Sequence, residues 1–266
     1  MGLLLALAVA LPSQASAARS VYVSAYDGRS VSAFSMSGSG QLASIATPYD
    51  TGVDTQGIAI SPDGRYLYAA LWGGDAVRGY RVEQGGKLTA IGNTAAETAP
   101  VGLAVSPDGR LLAVTNYFSS DISLYRIGPN GGLSEHPVSP FSTGGTNPFG
   151  VTFSPDGRHL YVAFLTGAGD VGAFAVAADD SLGALAGSPY DVGISTASGV
   201  AVTPDGRFLY VSHQAVANVA GLSIAASGIP TPLAGSPFPV AGTSVGIGVD
   251  PGGEFLYLKG GIGVMG

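Results

Sequence analysis

Groups able to move protons or hold a metal are sparse in this 266-residue chain: 18 carboxylates, three histidines and no cysteine. Without Cys, thiolate zinc sites and disulfides are excluded. His136, His159 and His213 fall at three different places in the sequence pattern, so they make no zinc-binding set. His136 and His159 are expected at the surface. His213 ends a predicted strand on the side where loops gather, and it is the one histidine put forward for ligand contact. Gly242-Thr-Ser-Val-Gly246 has the spacing of a nucleophile elbow. That motif needs a strand-to-helix turn, and here it enters a strand. Gly261-Ile-Gly-Val-Met-Gly266 has dinucleotide-loop spacing with no helix behind it to receive a phosphate. No catalytic residue, metal site or cofactor is expected.

Binding chemistry has more to draw on. Asp54 and Asn147 stand just before equivalent strands and offer oxygens to a cation or to sugar hydroxyls. Trp72 is the only tryptophan. With Tyr26, Tyr117, Phe118, Phe149 and Phe164 it falls in loops or at strand ends, where aromatics mark recognition surfaces. Packing between sheets is the competing reading of the same residues. Asp75, Asp121, Asp170 and Asn218 recur once per repeat at one position, which points to a structural task, holding loop backbone before a strand. Net charge is −7, and four of the nine arginines (Arg65, Arg110, Arg158, Arg207) lie in one repeated turn. No basic cluster is left to displace counterions from phosphates, so a nucleic-acid partner is excluded.

The elements that position these residues come from a repeat. Gly57-Ile-Ala-Ile-Ser-Pro-Asp-Gly-Arg65 recurs from Gly102, Gly150 and Gly199, and more weakly from Gly246. Steps of 45 to 49 residues are the length of a four-stranded propeller blade. In each unit a short apolar run leads through a Ser-Pro-Asp-Gly turn to a β-branched and aromatic strand, and two further strands follow. The expected fold is all-β, a β-propeller of four-stranded antiparallel blades with about five units and a partial last one. The units lie near 20–50, 56–96, 101–142, 149–190, 198–239 and 245–266. Residues 1–17 read as a secretory signal peptide: an apolar run over 2–11, Pro12, then Ala15-Ser-Ala17. The propeller domain is then 18–266, in a secreted, periplasmic or cell-surface protein with no membrane span. The first unit reads without an inner strand, a place that Val245–Val249 could fill beside Val21–Val23. Residues 251–266 carry Phe255, Leu256, Leu258, Ile262, Val264 and Met265, a tail expected to be poorly ordered. Open edges are expected to make the chain self-associate.

Ser-Pro-Asp-Gly-Arg-x-Leu-Tyr at 61–68 and 154–161, the Thr203 version at 203–210, and Gly-Ser-Pro-Phe at 235–238 resemble the bacterial lactonase-like propellers, the 6-phosphogluconolactonase-like and YVTN-repeat proteins. That family is normally seven-bladed. The resemblance implies an Arg-His pair before an inner strand and a Glu after a second strand in enzymatic members. The matching positions here hold Thr55-Gln56, Ala99-Pro100-Val101, Pro148-Phe149 and Ala197-Ser198. The loops read Leu71-Trp-Gly, Asn116-Tyr-Phe, Phe164-Leu-Thr and His213-Gln-Ala. No catalytic residue carries over. The expectation is an extracytoplasmic recognition or scaffold module that binds a glycan or protein through Asp54, Trp72, Tyr117, Phe118, Asn147, Phe149 and His213. A lactonase-like hydrolase and a fragment without a function of its own are the alternatives.

Overall fold

The computed structural model describes residues 19–167, 169–193 and 196–260, together with the backbone of 7–10 and 263–265. Nearly every element is a short strand, because Gly, Pro and Asn or Asp pairs break the chain every eight to ten residues. The one helical piece among the described residues is a single 3-10 turn at Trp72–Gly74.

The first sheet holds Leu7–Ala10 (β1), Arg19–Ala25 (β2), Ser30–Met36 (β3), Leu42–Ser44 (β4) and Tyr49–Asp50 (β5). The second holds Thr55–Ile60 (β6), Tyr66–Leu71 (β7), Ala76–Val82 (β8) and Leu88–Ala95 (β9). The third holds Pro100–Val105 (β10), Leu111–Asn116 (β11), Asp121–Ile127 (β12), Leu133–Glu135 (β13) and Phe141–Ser142 (β14). In the fourth are Thr146–Phe153 (β15), His159–Thr166 (β16), Val171–Val176 (β17) and Leu182–Ala184 (β18). In the fifth are Ala197–Val202 (β19), Phe208–His213 (β20), Asn218–Ile224 (β21), Pro230–Pro232 (β22) and Phe238–Pro239 (β23). The sixth has three strands, Ser244–Val249 (β24), Leu256–Gly260 (β25) and Gly263–Met265 (β26). Each sheet is an antiparallel meander in sequence order, the blade of a β-propeller. β5, β14 and β23 fold back on the third strand of their sheet, and Tyr190 bridges to Val171 in the same way. The Ser-Pro-aromatic segments thus close three of the units, with cis peptides at Ser139-Pro140, Ser188-Pro189 and Ser236-Pro237.

One expectation is corrected here. β2 pairs with β1, Val21 opposite Val9 and Val23 opposite Leu7, whereas Val245–Val249 lies in β24 and pairs with its own neighbour β25. The hairpin through Asp250 to Phe255 explains this: strands separated by six residues pair more readily than distant ones. The backbone of 7–10, read from the sequence as part of a leader, is therefore the inner strand of the first sheet. The remainder of the leader lies outside the described residues, as do positions 261, 262 and 266 of the Gly261–Gly266 motif, whose 263–265 backbone is strand β26.

The chain divides into two compact units, residues 1–114 with 124–135, and residues 115–123 with 136–266. Within each, the core lies between successive sheets. Tyr22, Val31, Ile58, Leu67, Tyr80 and Leu88 form one such layer in the first unit. Tyr161, Val171, Val200, Leu209, Val211 and Leu222 form another in the second. The second strands of the second and third sheets are covered on both faces, so β7 and β11 are buried at every position and show no in–out alternation. Each such large side chain is worth about 1.5–3 kcal/mol of transfer free energy. Inner strands approach closely where a side chain is missing: a Cβ on Gly57 would overlap the Val101 carbonyl oxygen.

The repeated turn is held by its own side chains. In the second sheet the Ser61 hydroxyl donates to Asp63 Oδ1 (2.6 Å) and accepts the Tyr66 N–H (2.9 Å), while Arg65 N–H donates to the same carboxylate (3.0 Å). Gly64 supplies the left-handed φ of +71°. The third, fourth and fifth sheets repeat this arrangement through Asp108, Asp156 and Asp205. In the sixth, Asp250 stands in the Ser position and takes the N–H groups of Gly252, Glu254 and Phe255 itself. Burial pushes the Asp108 carboxyl upward. The Ser106 hydroxyl and the Arg110 N–H and guanidinium outweigh it, leaving the pKa below the usual range.

Candidate functional site

Four of the seven residues picked from the sequence come together in the second unit. Tyr117 and Phe118 form the turn between β11 and β12, their rings edge to face at 5.1 Å. Phe118 is 64% exposed. Asn147 opens β15 in the left-handed region at φ +52°, a conformation that Asn tolerates better than most residues. Its Nδ2 donates to the Tyr117 carbonyl (3.1 Å), and its Oδ1 accepts the Thr166 hydroxyl (2.6 Å). The Thr146 hydroxyl donates to the Thr166 carbonyl (2.8 Å). Phe149 is buried, and its carbonyl accepts the Thr115 hydroxyl (2.7 Å). Phe149 is thus a packing residue that ties β11 to β15, and it presents little ring to solvent.

Beneath the loop lies a polar layer that the sequence reading did not single out. Asn116 is fully buried, and its Nδ2 donates to Asp121 Oδ1 (2.7 Å) and to Ser123 Oγ (2.9 Å). Ser119 adds a second bond to Asp121, and Thr143 donates to the Ser120 carbonyl (2.7 Å). A buried Asn at the end of an apolar strand was the available signal, since a buried amide needs partners. Asp75 and Asp170 have the structural task expected of the recurring positions, whereas Asp121 accepts the Asn116 and Ser119 side chains. Asp75 Oδ1 accepts the Ala99 N–H (2.9 Å), and Asp170 Oδ2 accepts the Val192 N–H (3.1 Å).

The other three candidates lie elsewhere. Asp54, in the first unit, pairs with Arg29 at 3.1 Å, a half-exposed ion pair worth little in water. Trp72 opens the 3-10 turn of the first unit and is partly buried. His213 ends β20 with no exposed surface. Its Nδ1 faces the Asn218 carbonyl at 3.4 Å, and its Nε2 is buried without a partner. Burial holds its pKa below the ordinary 6.5, against the opposing pull of the Asn218 carbonyl and the Asp170 charge. His213 is accordingly neutral near pH 7 and shielded from solvent. His136 is also buried rather than on the surface: it packs on Phe141 (5.8 Å between rings) and bonds the Asp179 carbonyl (3.0 Å).

The Phe118 loop therefore offers an exposed aromatic ring beside a fixed row of hydroxyl and amide groups. Such a surface suits a polyhydroxylated ring, whose C–H face stacks on an aromatic and whose hydroxyls exchange hydrogen bonds.

Residues 17–145 match the family model described as Lactonase, 7-bladed beta-propeller. This is the family expected from the Ser-Pro-Asp-Gly-Arg units. No curated protein matches the chain. Similar solved structures include the periplasmic gluconolactonase of Pseudomonas aeruginosa, 24% identical over 84% of this chain and 68% of that one, with a TM-score of 0.73. A Bacteroides fragilis protein described as a candidate 6-phosphogluconolactonase is 20% identical over 85% of this chain and 69% of that one, also with a TM-score of 0.73. Hydrazine synthase of Kuenenia stuttgartiensis is 21% identical over 90% of this chain and 70% of that one, with a TM-score of 0.66. At these identities the likeness carries the fold alone. The hydrazine synthase match illustrates how one fold serves different chemistries.

Proposed function

We propose that this chain, a lactonase-like β-propeller protein whose family match spans residues 17–145, acts on a neutral sugar-acid lactone held at the Phe118 loop. The observation that carries the reading is that family match, joined to the hydroxyl and amide row of Thr146, Asn147 and Thr166 beside Phe118. Charge supports an unphosphorylated substrate. Net charge is −7, and the turn arginines lie beside their own aspartates in exposed ion pairs. Lactone hydrolysis requires water delivered to the carbonyl and a donor for the oxygen that becomes negative. His213 is sealed from solvent and does not deliver that water.

The test is a pH-stat assay of the purified chain on an aldonolactone with and without a 6-phosphate. Saturable turnover above the spontaneous rate, with the neutral lactone preferred, is expected. No turnover on either would overturn the hydrolase reading.

A second reading has its own observation. Asn147 spends both its carbonyl and an amide N–H on the protein, and the positions where the family would carry Arg-His hold Pro148-Phe149. A site built to hold and lacking groups to react is a recognition module for a glycan or protein. Saturable binding of the hydrolysed sugar acid without lactone turnover would favour it. The apolar leader supports an extracytoplasmic location, and among the described residues no helix is long and apolar enough to cross a membrane.

A further inference from the structure

The turn that joins β12 to β13, Gly128-Pro-Asn-Gly-Gly132, is pinned by two tyrosine hydroxyls of the preceding sheet. Tyr66 donates to the Pro129 carbonyl (2.8 Å) and Tyr68 to the Gly131 carbonyl (3.0 Å). Between those two carbonyls stands Asn130, which is exposed. It is the one asparagine of the chain that glycine follows. Asn93, Asn116, Asn147 and Asn218 lie in strands and precede Thr, Tyr, Pro and Val.

An amide beside glycine is open to attack by its own backbone, because no Cβ shields the next nitrogen. The turn adds an electrophile's hydrogen bond. The Gly132 N–H donates to Asn130 Oδ1 (3.2 Å), the oxygen that turns negative when the Gly131 nitrogen adds to Cγ. Reaching that nitrogen requires the Asn130–Gly131 peptide to rotate, and the tyrosine bonds on either side resist the rotation. Aspartates that precede glycine are less reactive, since an ionised carboxylate is a poor electrophile. Burial raises the Asp108 and Asp156 carboxyls, but the hydrogen bonds of their turns outweigh it and leave both below the ordinary 3.8.

We infer that Asn130 is a self-modification site, at which the chain converts the Asn130–Gly131 link to a succinimide and then to an aspartyl or isoaspartyl link, at a rate restrained by the Tyr66 and Tyr68 hydroxyls. The Gly131 nitrogen bonds to Asn130 Cγ, the Cγ–Nδ2 bond breaks, and the Gly131 proton leaves with Nδ2 as ammonia. Water then opens the ring. Cleavage at Cγ gives aspartate, and cleavage at the original peptide carbonyl gives isoaspartate, with one more atom in the main chain. The turn accommodates the first product: Asp179 holds the same place between β17 and β18, its Oδ1 accepting the Ser181 N–H (3.1 Å). The second lengthens the chain between two anchored carbonyls, so a tyrosine bond is lost.

The test ages the folded chain in mildly alkaline buffer and maps its peptides by mass spectrometry, with isoaspartate resolved from aspartate by chromatography. The amide-to-acid mass gain is expected at Asn130 ahead of the four other asparagines. It should run about fivefold faster in Tyr66→Phe and in Tyr68→Phe, the equivalent of one net hydrogen bond. Tyr161→Phe, which loses the corresponding bond to Gly228, should leave the rate at Asn130 unchanged. Asn130→Asp should melt with the native chain, and the isoaspartyl fraction below it. A mass gain that comes first at another asparagine, or none at Asn130 in the folded chain while the urea-unfolded chain gains there, would overturn the inference. Equal acceleration in all three tyrosine variants would overturn the restraint by Tyr66 and Tyr68.

Discussion

At the scale of single residues, His213 shows how a chemically able group becomes structural. In the sequence it stands at a strand end where loops gather; in the fold the strand end is sealed. Strand position was legible, but burial depends on neighbours contributed by other sheets. The pH consequence has a definite sign. Burial depresses the folded pKa, so below about pH 6.5 the unfolded chain takes up a proton that the folded chain refuses, and stability falls. Melting temperature should decline from pH 7.5 to 5, with a shallower slope in His213→Gln. An identical slope would remove His213 from the explanation. The turn aspartates act in a separate, more acidic window. Hydrogen bonds hold Asp108 and Asp205 below their ordinary 3.8, so their contribution is present above that value and is lost on further acidification. Asp108→Asn should cost about 1 kcal/mol at neutral pH, measured by urea unfolding, because it weakens a carboxylate that receives hydroxyl, amide and guanidinium donors.

At the scale of elements, the repeat was readable because its turn is written in residue types with fixed conformational roles. Ser, Pro, Asp and Gly each have a distinct place, and all four main copies fold alike. The hydrogen bond from the Tyr68 hydroxyl to the Gly131 carbonyl of the next sheet (3.0 Å) was not readable, since the two lie 63 residues apart and nothing local links them. Asn147 and Tyr117 were picked separately, and only the fold reveals that one bonds the other. The tyrosine contact has a test of its own. Tyr68→Phe strands the buried Gly131 carbonyl and should cost about 1–3 kcal/mol of stability. Tyr257→Phe, at an exposed place, should leave the unfolding free energy unchanged. Equal losses in both would mean that the hydroxyl bond is not what distinguishes the two positions.

At the scale of the whole molecule, the all-β class followed from spacing alone, whereas the inner strand of the first sheet did not. Leu7–Ala10 has the composition of a leader and the backbone pairing of a strand. If export removes the leader as proposed, intact-mass analysis of the exported protein should place its N-terminus near Ala18, and β2 then loses β1 and keeps β3 as its one neighbour in the first sheet. A full-length exported chain would count against the leader. Function is least legible at this scale, because the residues shared with lactonase-like propellers are those that make turns and strands. The most direct test of the proposed role compares the chain with its Phe118→Ala and Thr166→Val variants in neutral-lactone hydrolysis. Saturable turnover by the native chain is expected, with KM raised about tenfold in each variant through loss of stacking or of the Asn147 hydrogen bond. Native turnover absent, or present and unaltered by both substitutions, would contradict the assignment of a lactone site to the Phe118 loop.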